Sequence, residues 1–155
     1  MPMPRTELSP AHRQWRVRVF SATWLSYFGY YFCRKPFFAA KQMLSELPGW
    51  TDESLAWVGV AYLVSYAAGQ FISAALGPKY GARILLLLGM SVSIGCNIVF
   101  GLSTSVETFI GFMVVNGLAQ STGWSANVAA MAPWFRRNER GTVMGVWATN
   151  YQVGG

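Results

Sequence analysis

Apolar residues along this chain come in long blocks, separated by short polar links. The blocks cover residues 17–44, 53–77, 82–102, 107–135 and 142–155. The links read "SELPGWTDES", with Pro48 and Gly49, then "GPKYG", "STSVE" and "RRNERG". A run of about 20 apolar residues crosses about 30 Å of hydrocarbon as a helix. The first four blocks meet that length, so the pattern predicts four complete transmembrane helices. The fifth holds about 14 residues, or roughly 21 Å at 1.5 Å per residue, and falls short of a span. An all-α membrane protein is therefore expected, with part of a fifth helix at its end. The chain reads as the N-terminal part of something longer, unable to transport by itself. Residues 1–16 are polar and form the expected cytoplasmic tail.

Composition agrees with this pattern. Apolar residues make up 53% of the chain, aromatic residues 15% and charged residues 12%, against about 25% charged in soluble domains. The net charge of +6 does not point to nucleic acid, because the bases sit between apolar blocks and form no stripe on a soluble surface. They act as topology signals. Arg5, Arg13, Arg16 and Arg18 lie at the start; Lys79 and Arg83 lie in the second link; Arg136, Arg137 and Arg140 lie in the fourth. The other two links carry Glu46, Asp52, Glu53 and Glu107, with Lys41 the one base near them. Excess Lys and Arg mark cytoplasmic loops, so the N-terminus and the second and fourth links are expected inside. Trp15, Trp50 and Trp134 fall near block ends, where interfacial anchors sit.

Several functions are disfavoured at once. Cys33 and Cys96 lie inside apolar blocks with no metal-ligand spacing and no secreted scaffold. The single histidine, His12, is in the tail. No Ser/His/Asp set, metal cluster or phosphate-cradling glycine loop is present, so neither an enzyme nor a cofactor is expected.

One block contains an anomaly. "YFGYYFCRKPFFAAKQ" places Arg34 and Lys35 inside an apolar, aromatic helix. Tyr27, Tyr30, Tyr31 and Arg34 occupy i, i+3, i+4 and i+7 and share one helical face. Lys35 is turned about 100° from Arg34. An intramembrane arginine is costly and marks a functional site by default, with an anion as its natural partner. Its planar fork grips phosphate or carboxylate at two points. Two other readings stay open: pairing with an acid from outside these helices, and snorkelling of the side chain to the surface.

Small residues recur at four-residue spacing. Gly69, Ser73 and Gly77 do so in the second block, Gly117, Ser121 and Ser125 in the fourth, and Gly141 and Gly145 in the fifth. Such stripes let helix backbones approach closely, either as fixed packing or as a contact that slides during function.

Three segments carry a resemblance. "FGYYFCRKPF" resembles the first helix of the organophosphate:phosphate antiporters of the major facilitator superfamily. "NGLAQSTGWSANVAAMAPWFRRNERGTVMGVW" resembles that family's fourth helix, the following link and the start of its fifth helix, where the pattern approximates G-x-x-Q-x-x-G-W, W-[FW]-x-x-x-x-R-G and V-W. "YAAGQFISAALGPKYGAR" resembles the second helix and its turn. The sugar-phosphate exchanger branch is the most similar. The resemblance implies twelve helices in two six-helix halves, of which this chain holds part of the first. It implies exchange of a sugar or polyol phosphate for inorganic phosphate across the bilayer by alternating access. It gives Arg34 the role of phosphate ligand. The other candidate substrate-binding residues are Tyr27 and Tyr31, on the same helical face, Gln70 and Tyr151, at two of the family's anion-recognition positions, and Lys35, for which pairing or snorkelling is the favoured reading. A second arginine is expected from the missing C-terminal half. Lys79, Arg83 and Arg140 join Gly69, Ser73, Gly77, Gly117, Ser121, Gly141 and Gly145 as expected gating and packing residues.

Three departures modify this reading. The turn reads Pro78-Lys79-Tyr80-Gly81-Ala82-Arg83 and lacks the superfamily's usual acid. Gln70 stands where glycerol-phosphate and hexose-phosphate members often carry lysine. Tyr151 stands where they carry histidine. Phosphate recognition then rests more heavily on Arg34. A transporter-like membrane sensor of sugar phosphate, or a carrier for another organic anion, is the alternative.

Overall fold

The computed structural model describes residues 9–154; Arg5 and Gly155 lie outside them. Every regular element among these residues is helical. The order is α1 (Pro10–Ser45), α2 (Asp52–Leu102), α3 (Val106–Met131), a 3₁₀ turn (Ala132–Trp134), α4 (Arg140–Trp147) and α5 (Thr149–Gly154). By length and composition, α2 can cross a membrane.

Helix α1 starts at Pro10, ahead of the apolar block at residue 17. Ser9 caps it by accepting from the His12 backbone N–H at 3.3 Å, and Pro10 occupies the first turn, where a missing N–H costs nothing. The polar start of α1 also has a partner. Arg16 donates to Glu139 at 2.7 Å, and the Trp15 and Trp134 rings stack at 6.2 Å. This end of α1 is thereby held against the link before α4.

Helix α2 cannot be a straight rod. At 1.5 Å per residue, residues 69 and 89 would lie about 30 Å apart. Instead both face the same stretch of α3. A Cβ added at Gly69 would meet Leu118 Cα at 3.2 Å, and one at Gly89 would meet the Ala119 carbonyl at 2.7 Å. The chain reverses at Gly81, which has φ 79° and ψ 155°, a region open essentially to glycine. The sequence predicts a turn over "GPKYG"; helical backbone continues through Pro78 and Tyr80 and breaks at Gly81 alone. Two limbs result, both packed on α3.

Small residues make that packing close. Gly117 lies against Ser65 and the Tyr62 carbonyl, and Ser73 and Ser121 share a hydrogen bond at 3.0 Å. Gly77, Gly141 and Gly145 have open space where a Cβ would project, so among the described residues these three do not serve a close contact. Apolar side chains meanwhile cover the outside: Phe71 is 81% exposed and Leu102 83%. An exterior of this kind marks a surface that lipid or further protein covers.

Two buried clusters fix the ends of the bundle. Phe37, Leu44, Trp50, Leu55, Phe109 and Met113 pack at one end, where the Trp50 indole donates to the Thr104 carbonyl at 2.8 Å. Tyr27, Tyr30, Met131 and Trp147 pack toward the other. Between them lies a polar layer.

Candidate functional site

The polar layer is built around Arg34. Pro36 lies two residues on within α1. A proline there removes one backbone N–H from the ladder and disturbs the preceding turn. Asn97 on the second limb of α2 donates at 2.8 Å to the Cys33 carbonyl in that turn. Arg34 is half-buried and its side chain turns inward. Its Nε makes a long hydrogen bond, 3.4 Å, to Gln120 Oε1 on α3.

Gln120 is itself completely buried and fixed from three directions. Its amide nitrogen donates to the Tyr30 carbonyl at 3.1 Å and to Ser93 Oγ at 2.8 Å. Ser93 Oγ donates in turn to Asn116 Oδ1 at 2.7 Å. The amide oxygen is thereby presented to Arg34. A fully connected buried network of this kind is rigid.

Three phenol rings enclose the guanidinium. Its carbon lies 4.7 Å from the Tyr31 ring centroid, 5.0 Å from Tyr66 and 5.8 Å from Tyr62. Tyr62 and Tyr66 sit one turn apart on the first limb of α2, their rings stacked at 5.9 Å. Each cation–π contact contributes about 0.5–2 kcal/mol. None supplies the oxygen acceptors that a desolvated guanidinium requires. Nη2 of Arg34 is buried and makes no well-formed hydrogen bond; the Tyr62 hydroxyl beside it is in the same position, so the two face each other without good geometry. No carboxylate among the described residues pairs with Arg34. The cage therefore holds a fixed cation with a poorly satisfied donor, a geometry that can accept an anion.

The aromatic wall continues along α1. Tyr27 and Tyr31 meet edge to face at 5.5 Å. Tyr31 lies 6.1 Å from Tyr151 on α5, which is 37% exposed. Tyr27 also contacts Trp147 at 5.0 Å and Trp124 at 5.8 Å. Tyr30 departs from the expected tyrosine stripe. Its ring occupies the space left by Gly123, and its hydroxyl donates to the Leu86 carbonyl at 2.9 Å and meets Thr122 Oγ1 at 2.9 Å. Tyr30 thus braces α1 against α2 and α3.

The remaining sequence candidates divide clearly. Lys35 is exposed and takes no part in the cage. Gln70 accepts from Ser125 Oγ at 2.8 Å, tying the first limb of α2 to α3. Lys79 lies 5.2 Å from the Tyr80 ring, and Arg83 is exposed. Arg140 folds back on the end of α3, donating to the Phe135 carbonyl at 3.0 Å and the Ala132 carbonyl at 2.7 Å. In the same link, Glu139 accepts from the Arg136 backbone N–H at 2.8 Å as well as from Arg16. These contacts hold its carboxyl below the ordinary value of 4.5.

Sequence reasoning missed Gln120, Tyr62 and Tyr66 as neighbours of Arg34. Signals for them existed. The two tyrosines stand four apart in an apolar block, and Gln120 is one of three amides, with Asn116 and Asn127, inside another.

Comparison with known proteins agrees with this architecture. The model of the Major Facilitator Superfamily matches residues 19–155. A probable hexose phosphate transport protein of Chlamydia trachomatis is 31% identical over 145 residues, covering 93% of this chain and 32% of the relative. A glycerol-3-phosphate transporter of Bacillus subtilis is 32% identical over 154 residues, 97% of this chain and 34% of that protein. The membrane sensor protein UhpC of Escherichia coli is 30% identical over 151 residues, 96% of this chain and 34% of that protein. The chain thus spans about a third of the length of these relatives. No solved structure matches.

Proposed function

The chain belongs to the major facilitator superfamily, among relatives of the organophosphate:phosphate antiporter type, and from that premise we propose that it forms the first part of a transporter exchanging a sugar or polyol phosphate for inorganic phosphate. The observation that carries this reading is the Arg34 guanidinium, caged by three tyrosines with Nη2 buried and without a well-formed hydrogen bond. A phosphate oxygen at Nη2 would complete its hydrogen bonding and neutralise its charge. The names of the relatives, hexose phosphate and glycerol-3-phosphate transporters, support an organic phosphate as cargo.

In this proposal α1, the two limbs of α2 and α3 are four membrane spans, and α4 with α5 begins a fifth. The N-terminus is cytoplasmic, in a bacterial inner membrane or its equivalent. Arg34 binds the phosphate; Tyr27, Tyr31 and Tyr151 line the path; Tyr62, Tyr66 and Gln120 position the guanidinium. Gln70 contributes a neutral group, and Lys35 an outlying charge. The second six-helix half supplies the partner arginine and closes the cavity. Exchange follows from the clamp: the loaded site is neutral enough to cross between the two open states, whereas the empty one carries a bare buried charge. Alternating access moves the halves about this fixed point.

The test is exchange by the full-length protein in proteoliposomes. Radiolabelled inorganic phosphate inside should leave when organic phosphate is added outside, and should stay without it. A sensor of the same anion would bind organic phosphate and exchange nothing.

A further inference from the structure

Tyr62 carries a group that its packing does not call for. The residue is buried on the first limb of α2, and its ring stacks on Tyr66 at 5.9 Å. The same ring packs in the cluster of Phe37, Phe109 and Met113. Its backbone is pinned as well: the Tyr62 carbonyl accepts from Ser65 Oγ at 3.0 Å and lies against Gly117 of α3. Phenylalanine would satisfy all of these contacts. The hydroxyl is the surplus. Tyr30, the other deeply buried phenol of the site, has Leu86 and Thr122 as partners for its hydroxyl. That of Tyr62 has no well-formed hydrogen bond, which lowers stability.

The neighbour of this hydroxyl is Arg34. The Tyr62 ring lies 5.8 Å from the guanidinium carbon, and its hydroxyl faces Nη2, which is poorly satisfied too. Arginine offers donors only, and a phenol has one proton to give. If the phenol oxygen accepts from Nη2, its own proton still lacks an acceptor. The pair is therefore short of an acceptor with several lone pairs. An anionic oxygen is such a group, and charge-assisted hydrogen bonds to it are the strong ones. Arg34 as a residue is half-buried, so part of it stays open to an incoming anion.

We propose that the Tyr62 hydroxyl is a second phosphate ligand, which donates with Arg34 Nη2 to one oxygen of the phosphoryl group. This rests on Arg34 being the phosphate ligand. The oxygen seats between two groups that meet each other poorly without it. Tyr62 thus acts on the part that inorganic and organic phosphates share. It sets affinity for both and discriminates between neither. The unsatisfied hydroxyl destabilises the empty site, and the bound anion removes that penalty.

The experiment compares the full-length wild type with Tyr62→Phe, in detergent and in proteoliposomes. The probe is inorganic phosphate, which presents the phosphoryl oxygens and nothing else. The variant keeps the ring and loses the hydroxyl alone. Without phosphate its melting temperature should equal or exceed that of the wild type, because an unsatisfied buried group is gone. Added phosphate should then raise it less than it raises the wild type. KM for phosphate self-exchange should increase about tenfold or more, the scale of one lost hydrogen bond to a charged group. An unchanged KM would overturn the proposal and leave Tyr62 a packing residue. A lower melting temperature without phosphate would overturn it too, since the hydroxyl would then serve a bond within the resting protein. Arg34→Ala separates this proposal from the reading beneath it: phosphate self-exchange that survives in that variant removes Arg34 as the ligand, whatever Tyr62→Phe shows.

Discussion

Gln120 Oε1 sits 3.4 Å from Arg34 Nε, and its own amide nitrogen is locked to Ser93 and the Tyr30 carbonyl. The glutamine therefore works in both directions. It braces three helices, and it fixes the angle at which the guanidinium is held. The two roles give separable consequences. Gln120→Leu keeps roughly the same size but leaves the Tyr30 carbonyl and Ser93 without that donor. A buried unsatisfied group costs about 1–3 kcal/mol, so the melting temperature in detergent should fall. Phosphate KM should rise as Arg34 loses its stop. A variant with lower melting temperature and unaltered KM would show that Gln120 braces the helices and does not set Arg34.

The reversal at Gly81 gives a second expectation. At φ 79° and ψ 155°, a side chain adds strain of about 1–3 kcal/mol. Gly81→Ala should destabilise by that amount. Gly89→Ala should also destabilise, because its Cβ would press on the Ala119 carbonyl, Thr122 and Tyr30, and overpacking costs about 1–3 kcal/mol. Gly77→Ala has open space around it and should be neutral or slightly stabilising. Thermal scans of the three variants check the order; a Gly77 variant as damaged as the Gly89 variant would refute the packing account.

Much of this site was legible in the sequence, for local reasons. Tyr27, Tyr31 and Arg34 fall at i, i+4 and i+7 of one helix, a relationship that periodicity alone reveals. Tyr30 satisfies the same arithmetic yet turns toward α2 and α3, because Gly123 and Gly89 open room for its ring. Whether such room exists depends on how two other helices dock, and no single-helix pattern encodes that. Tyr62, Tyr66 and Gln120 stayed hidden for a related reason: their relation to Arg34 spans helices. The helical start of α1 at Pro10 was also obscure, since its support comes from Trp134 and Glu139, far along the chain.

Glu139 supplies a pH test. The Arg136 N–H and Arg16 hold its carboxyl below 4.5. A depressed folded-state value means that the stabilisation is complete above the ordinary carboxylate range. It disappears as pH falls through the lower folded value. Glu139→Gln should lower the melting temperature at pH 7, and the gap from wild type should close below about pH 4. High salt should narrow the gap too, since the pair is partly exposed. A gap that is constant from pH 7 to pH 3 would rule out the ion pair as its source.

The most direct measurement is phosphate exchange by Arg34 variants of the full-length protein in proteoliposomes. Arg34→Ala removes the charge, and Arg34→Lys keeps it while removing the planar fork that can hold two phosphate oxygens. Both variants should reach the membrane in normal amounts, and both should lose phosphate exchange, by at least about a hundredfold for alanine if two charge-assisted hydrogen bonds are lost. Exchange at the wild-type rate by the alanine variant would contradict the assignment of Arg34 as the phosphate ligand.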